Sequence, residues 1–308
     1  MSEELPAGRA CRVSADALAA VSDDLASRTR RSYVAQLRAV EAKLNGEPLT
    51  DQSLSAMLAE MAAAERSPST LALTVSAVRF AARRFDEPDP VGPRCDMVLR
   101  THRRTSSPPR QVAAVDWTAA DAASHAAAQR GDMIGLRGAA IIAVMSDALL
   151  RVSEAAALDC QDIDRAVDGS GCVTVRHSKT DQQGAGAALF LRRATITRVD
   201  RWLEAAAIGD GALFRRIRKG GQVTGDRLSS RSIRSIVAAN AATIGIDGAS
   251  GHSLRIGAAQ SLVRSGAQLP EAMLAGRWAT PTMLSRYASA ELAAQGAVSR
   301  LRPDTLEQ

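Results

Sequence analysis

The chain has 308 residues, 39 of them Lys or Arg against 33 Asp or Glu, for a net charge of +6 and a pI near 9.7. That length allows two domains with modest cores, and the basic balance favours a polyanionic partner such as nucleic acid. The chain shows no apolar run long enough to span a membrane and no secretory signal, and its four cysteines (Cys11, Cys95, Cys160, Cys172) have no C-x-x-C spacing; neither a membrane anchor, a zinc site nor a disulfide framework is expected, and reduced thiols fit a cytoplasmic protein.

Residues 1–13 read as a disordered arm. A helical module is expected over 14–104. Ser27 to Leu44 places Tyr33, Leu37, Val40 and Leu44 on one face and leaves Arg28, Arg31, Arg38 and Lys43 largely off it. Thr50 to Glu65 is a second amphipathic helix, capped at Thr50. Ser69 to Phe85 is a third, with Leu71, Val75, Val78, Ala82 and Phe85 as its stripe and Arg79, Arg83 and Arg84 off it; a fourth covers Cys95 to His102. Short helices with basic outer faces form a module able to enter a major groove. Taken singly, each of these arginines reads as an ordinary solvated charge.

A linker is expected over 105–114, overlapping the Ser- and Pro-rich stretch HRRTSSPPRQ (102–111), where Arg103, Arg104 and Arg110 are available for phosphates. The second domain, 115–308, opens with a helix from Asp116 to Arg130, with Thr118 and Asp121 in capping-box-like spacing. Gly135 to Leu150 is apolar nearly all round and reads as a buried central helix. Arg151 then stands at a helix end, beside a Ser153 cap and with Glu154 three residues on. CVTVRH and AALFLR read as two strands of a small antiparallel sheet, joined by the polar turn HSKTDQQGAG that carries Lys179, one of only three lysines. LFRRIRKGG and RLSSRSIRSIV, the latter with Arg231, precede the helix expected at 253–265. Helices are expected over 193–206, 229–243, 253–265 and 270–276, with Tyr287 at or near the end of TPTMLSRYA. A terminal helix follows, its stripe formed by Ala294, Val298 and Leu301.

The stretch 250–288 carries the chemistry. His252 and Arg255 form an H-x-x-R pair suited to a phosphate: the guanidinium fork binds two oxygens and the imidazole adds an adjustable donor. Trp278 and Tyr287 follow between apolar helical runs. Tyr287 is one of two tyrosines, and Tyr33 is accounted for by the core of the first module.

Arg151, Glu154, Lys179, His252, Arg255, Trp278 and Tyr287, in that order and local context, resemble the active site of the tyrosine site-specific recombinases. The resemblance is closest to the Cre-like subgroup, which carries tryptophan where many relatives have a second histidine, and it spans essentially Val115 to Leu301. It implies a mainly α fold: an N-terminal helical core-binding domain and a mixed, mostly α catalytic domain with a small antiparallel sheet, closing on DNA as a clamp. It also implies a groove-binding role for the first module, with Arg28, Arg31, Arg79, Arg83, Arg103, Arg104 and Arg231 as candidate DNA contacts. The partner implied is double-stranded DNA with paired inverted-repeat sites, bound by a homotetramer. In that family the C-terminal helix docks on a neighbouring subunit; from sequence it fits its own domain equally well.

The chemistry expected follows from the residue types. Arg151, Arg255, His252 and the Trp278 indole N–H supply donors to the phosphate, Tyr287 attacks to form a 3′-phosphotyrosine, and Lys179 protonates the departing 5′ oxygen. Strand exchange through a Holliday junction then needs no metal, ATP or small-molecule cofactor. The expected location is cytoplasmic, with the nucleoid. Two other readings are a type IB topoisomerase-like nicking-closing enzyme, which acts as a monomer, and a DNA-binding regulator without catalysis.

Overall fold

The computed structural model describes residues 11–22, 25–107, 112–176 and 186–301. The chain divides into two compact units, Met1–Arg110 and Gln111–Gln308. It is mainly α with small antiparallel sheets, and no described helix is long and apolar enough to cross a membrane.

The first unit holds α1 (Ala15–Val21), α2 (Ser27–Leu44), α3 (Asp51–Ala63), α4 (Pro68–Arg84) and α5 (Pro93–Thr105). Capping side chains set three of the starts: Ser14 accepts from Ala17, Thr50 and Ser53 cap each other reciprocally, and Ser67 accepts from Thr70 just before Pro68. Helix α5 has no cap of its own. Asp51 supplies one from α3, accepting the Gly92, Arg94 and Cys95 N–H groups at 2.9, 3.0 and 3.0 Å. Leu18, Leu37, Leu54, Leu58, Leu71 and Val78 fill the core, with Tyr33 packed on Phe80 at a ring separation of 5.4 Å.

Three expectations change here. A short helix, α1, precedes the expected four. Cys11, expected in the arm, is buried and pairs with Leu49 in an antiparallel bridge, so apolar packing begins before residue 14; residues 1–10 lie outside the described residues. Helix α5 runs past His102 to Thr105, with the Thr105 hydroxyl bonded to the Thr101 carbonyl, so Arg103 and Arg104 stand on a helix.

The second unit is built round α7 (Met133–Asp147), packed by α6 (Trp117–Gln129). The run MIGLRGAAIIAVMSD has no polar face, and Ala139 to Met145 are all buried. After α8 (Val152–Ala157) come β1 (Ile163–Arg165), β2 (Gly171–Val175) and β3 (Ala187–Leu191), an antiparallel sheet in the order β1-β2-β3 with Cys172 opposite Phe190. Then follow α9 (Arg193–Ala205), the hairpin β4 (Arg215–Ile217) and β5 (Val223–Arg227), and α10 (Ser230–Ala242). The last elements are α11 (Ser253–Arg264), α12 (Leu269–Gly276), α13 (Pro281–Tyr287), α14 (Ser289–Ala294) and α15 (Ala297–Leu301). Helices α9, α10 and α11 all pack on α7. At the end of α7, Asp147 accepts from the Arg192 backbone and guanidinium and from Thr195, at 2.9, 2.8 and 2.6 Å.

Several sequence expectations are adjusted. Asp116, not a Thr118–Asp121 box, caps α6 by accepting the Ala119 N–H at 2.9 Å, and Asp121 is taken by the Arg192 guanidinium. Val112 and Ala114, expected in the linker, pack beside Trp117 in an apolar cluster of the second unit, while 108–111 lie outside the described residues. The terminal helix breaks at Gln295–Gly296 into α14 and α15, because glycine is a poor helix-interior residue. Leu292 packs inward, whereas Val298 and Leu301 are exposed.

Helix α11, which carries the H-x-x-R pair, lies against the chain leading into α6. Val115 N–H donates to Ser253 O at 3.1 Å and Trp117 N–H to Ser261 Oγ at 3.1 Å. This approach requires Gly257: a Cβ there would sit 2.0 Å from the Val115 carbonyl oxygen, which is backbone and has no rotamer to yield. Gly257→Ala is therefore expected to destabilise the second unit by about 1–3 kcal/mol, the usual cost of overpacking. Urea unfolding should show a lower midpoint at unchanged m; an unchanged midpoint would show that α11 shifts freely.

Candidate active site

Six of the seven residues expected in the site come together where the end of α7, the start of α11 and the α12–α13 segment meet. The seventh, Lys179, lies outside the described residues.

The assembly starts at the end of α7. Leu149 takes the left-handed conformation with φ +48°, and the carbonyl of this turn becomes an acceptor for side chains from α11 and α12. Arg151 follows as the N-cap of α8. Glu154, not Ser153, completes this cap: its Oε2 accepts the Arg151 N–H at 2.8 Å while its Oε1 accepts Arg151 Nη1 at 2.7 Å. A carboxylate is the stronger acceptor at a helix N-terminus, where the dipole adds to the hydrogen bond. Glu154 is buried, and burial pulls its carboxyl upward. The Arg151 N–H and the charges of Arg277 and Arg151 outweigh that and hold it below the usual range.

Helix α11 begins with His252 as N-cap and brings Arg255 inward one turn later. Arg255 is only 1% exposed. Its Nη1 donates to the Leu149 carbonyl and its Nη2 to the Gly276 carbonyl, and its Cζ lies 4.9 Å from the Trp278 ring centroid. Burial, then the neighbouring charges of Arg151 and Arg277, push this guanidinium down to about 10. Gly276 is also a steric requirement, since a Cβ there would lie 2.3 Å from the Trp278 indole carbons.

Tyr287 ends α13, buried, with its ring 5.9 Å from that of Trp278. Gln260, from α11, donates to the Tyr287 carbonyl at 3.0 Å and holds the end of the helix. The tyrosine hydroxyl lies 2.7 Å from His252 Nε2. Burial raises the phenol, with Arg255, Arg286 and Arg151 opposing it. Burial lowers the imidazole, and Arg255, Arg151 and Arg286 lower it further. A protonated phenol therefore faces a neutral imidazole able to accept its proton.

The sequence reading missed the Leu149 and Gly276 carbonyls, Gln260 and Arg277. The glycine two residues before Trp278 was the one signal present; backbone carbonyls leave none. Of the candidate DNA contacts, Arg28, Arg31, Arg83, Arg103 and Arg104 are exposed in the first unit and Arg231 in the second. Arg79 is half-buried and paired with Asp89 at 3.1 Å, because the turn after α4 brings that carboxylate back over the helix.

A helical unit with histidine, two arginines and a buried tyrosine converging on one point defines the tyrosine recombinase and integrase class. The chain belongs to the Phage integrase family, which it matches over residues 119–293. It is 30% identical over 184 residues to the recombinase Cre of Escherichia phage P1, covering 55% of this chain and 54% of that protein. It is 29% identical over 161 residues to an integrase/recombinase XerD homolog of Selenomonas ruminantium, covering 50% of this chain and 47% of that one. The chain thus spans about half the length of the curated relatives it matches. Among solved structures it resembles a lambda integrase dimer bound to a COC′ core site, with a TM-score of 0.62, 18% identity, and coverage of 95% of this chain and 79% of that one. It also resembles the Tn1549 transposon integrase in complex with a circular intermediate DNA, with a TM-score of 0.66, 12% identity, and coverage of 94% and 100%.

His252 is expected to titrate below its ordinary value of 6.5. The unfolded chain then binds the extra proton, so the His252 contribution to stability is present above 6.5 and is lost as pH falls through the folded value. Imidazole NMR titration, with His252→Gln to assign the resonance, should show this depressed midpoint. A midpoint at or above the ordinary value would mean that the imidazole is charged in the resting site.

Proposed function

We propose that this chain is a site-specific DNA recombinase that cuts and rejoins strands through a 3′-phosphotyrosine. The observation that carries this reading is the 2.7 Å contact between His252 Nε2 and the Tyr287 hydroxyl beside the buried Arg255. A phenol with a raised pKa is a poor nucleophile unless a base takes its proton, and the neutral imidazole is that base.

In the proposed reaction Tyr287 Oη attacks the scissile phosphorus as His252 accepts the phenolic proton. Arg151, Arg255 and the Trp278 indole N–H bind the non-bridging oxygens and the charge that grows on them. The bond from phosphorus to the 5′ oxygen breaks, and Lys179 donates the proton that oxygen requires. The phosphotyrosine conserves the bond energy, so a 5′ hydroxyl from a second strand re-forms the diester without ATP or metal, through a Holliday junction. Assigning His252 to the tyrosine proton leaves Lys179 as the remaining candidate for the leaving group.

The partner in this reading is double-stranded DNA with paired inverted repeats, gripped by both units as a clamp and bound by four copies, in the cytoplasm with the nucleoid. The exposed arginines of the first unit support the DNA contact. Exposed apolar residues support the assembly: Val298 and Leu301 on α15, and Leu269 and Leu274 beside a cavity of about 550 Å³ lined also by Met273 and Trp278. A tail seated in the cavity of a neighbouring copy covers both surfaces.

On a nicked substrate that traps cleavage, the wild-type protein should become attached to a 3′ phosphate and Tyr287→Phe should not. An undiminished adduct in the variant would overturn the assignment.

The leaving-group role is tested separately. Lys179→Ala should slow cleavage of ordinary DNA by roughly 10²–10⁴-fold, the usual loss for a general acid. With sulfur in place of the bridging 5′ oxygen, which departs without a proton, this variant should recover much of its rate while Arg151→Ala and Arg255→Ala recover less. Equal loss on both substrates would make Lys179 a phosphate-positioning group instead.

A further inference from the structure

We propose that Arg277 is a positioning residue of the phosphate site, shared between the anchors of Arg151 and Arg255. This role rests on the recombinase reading given above. Arg277 follows α12 and precedes Trp278. Its backbone is left-handed, with φ +53° and ψ 48°, a conformation in which glycine is at ease and a long side chain is strained. Such strain persists where the surroundings hold the residue in place. Here the side chain is what is held: it is 10% exposed, and its Nη2 donates to Glu154 Oε2 at 2.9 Å and to the Leu149 carbonyl at 3.3 Å.

Both acceptors already serve the two phosphate-binding arginines. Glu154 accepts the Arg151 guanidinium at 2.7 Å and the Arg151 N–H at 2.8 Å, and the Leu149 carbonyl accepts Arg255 Nη1. Arg277 is thus joined to each arginine through a common acceptor, and the described contacts link it to neither His252 nor Tyr287. Its effect must pass through its neighbours.

The charge balance says what that effect is. Around one buried carboxylate stand three guanidiniums, so the resting site carries excess positive charge in a poorly solvated place. With Glu154 paired to Arg151 alone, the carboxylate would neutralise that arginine and hold it away from a phosphate. Arg277 divides the carboxylate, and Arg151 keeps its charge for the substrate. Arg277 Nε and Nη1 are buried without a hydrogen-bond partner among the described residues, so this guanidinium is not placed to maximise its own bonding.

The test uses the full chain, the nicked trapping substrate, and two variants at ease in the left-handed conformation, Arg277→Gly and Arg277→Asn, with Arg277→Lys as the conservative change. The two uncharged variants should keep the wild-type Tm to within a few degrees and bind DNA with affinity unchanged to within about twofold, yet form the Tyr287 adduct about 10- to 100-fold more slowly at saturating DNA. Arg277→Lys should recover part of the rate. In a Glu154→Gln background the further loss on Arg277→Gly should shrink to less than about threefold, since no carboxylate charge remains to be divided. Three outcomes overturn the role: wild-type cleavage rates in both uncharged variants, a loss matched by weaker DNA binding or by unfolding, or the same loss with Glu154→Gln. A wild-type protein that forms no adduct overturns the recombinase reading and this role with it. A normal wild-type adduct with Arg277→Gly at the wild-type rate overturns the role alone.

Discussion

The Arg255 guanidinium is buried to 1% exposure, and among the described residues it donates to the backbone carbonyls of Leu149 and Gly276. A charge removed from water at this depth costs several kcal/mol unless its N–H groups are bonded, so those carbonyls must stand where they do. Leu149 presents its carbonyl from a left-handed turn at the end of α7, a largely buried helix. Gly276 presents its own where a side chain would strike Trp278. Three elements distant in sequence are in this way held together by one cation, and the tyrosine on α13 is positioned by the cluster they form.

The same region keeps cationic groups in excess of anionic ones. Glu154 is the one buried carboxylate beside Arg151, Arg255 and Arg277 among the described residues, and burial, with the charge of the neighbouring arginines, lowers the proton affinity of Arg255 and Arg277. With three guanidiniums and one carboxylate the cluster has two positive charges in excess, and in the proposed reading a phosphodiester offsets one of them. The local field also favours an ionised phenolate at Tyr287, while burial opposes ionisation until a base is within reach. His252, whose proton affinity is lowered by burial and by Arg255, Arg151 and Arg286, lies 2.7 Å from the Tyr287 hydroxyl and is the base in the proposed reaction.

In the first unit a different economy operates. Its helices are short and individually weak, and one long-range stabilising device is Asp51, which caps α5 from α3 by accepting three backbone N–H groups. Bonds to a charged acceptor are each worth about 1.5–3 kcal/mol, enough to matter in a module of this size. The core uses the apolar stripes, so most of the arginines on α2, α4 and α5 are left at the surface, where they contribute charge and little packing.

Much of the architecture was legible in the residues themselves. Period-3.6 stripes such as Leu71, Val75 and Val78, the Thr50 cap, and the all-apolar run of α7 are local signals, read from neighbours in the chain. The reacting groups were legible too, because tyrosine, histidine, arginine and tryptophan carry their chemistry in the side chain whatever the fold. What only the tertiary structure decided depends on partners far apart in sequence. Whether His252 faces phosphate or tyrosine was set by where α13 packs. Which residue caps α8 was set by a carboxylate outcompeting a hydroxyl, and whether Arg79 is free was set by a returning Asp89. Carbonyls such as those of Leu149 and Gly276 are identical in every residue, so their roles become visible only when burial leaves a guanidinium with nothing else to bond.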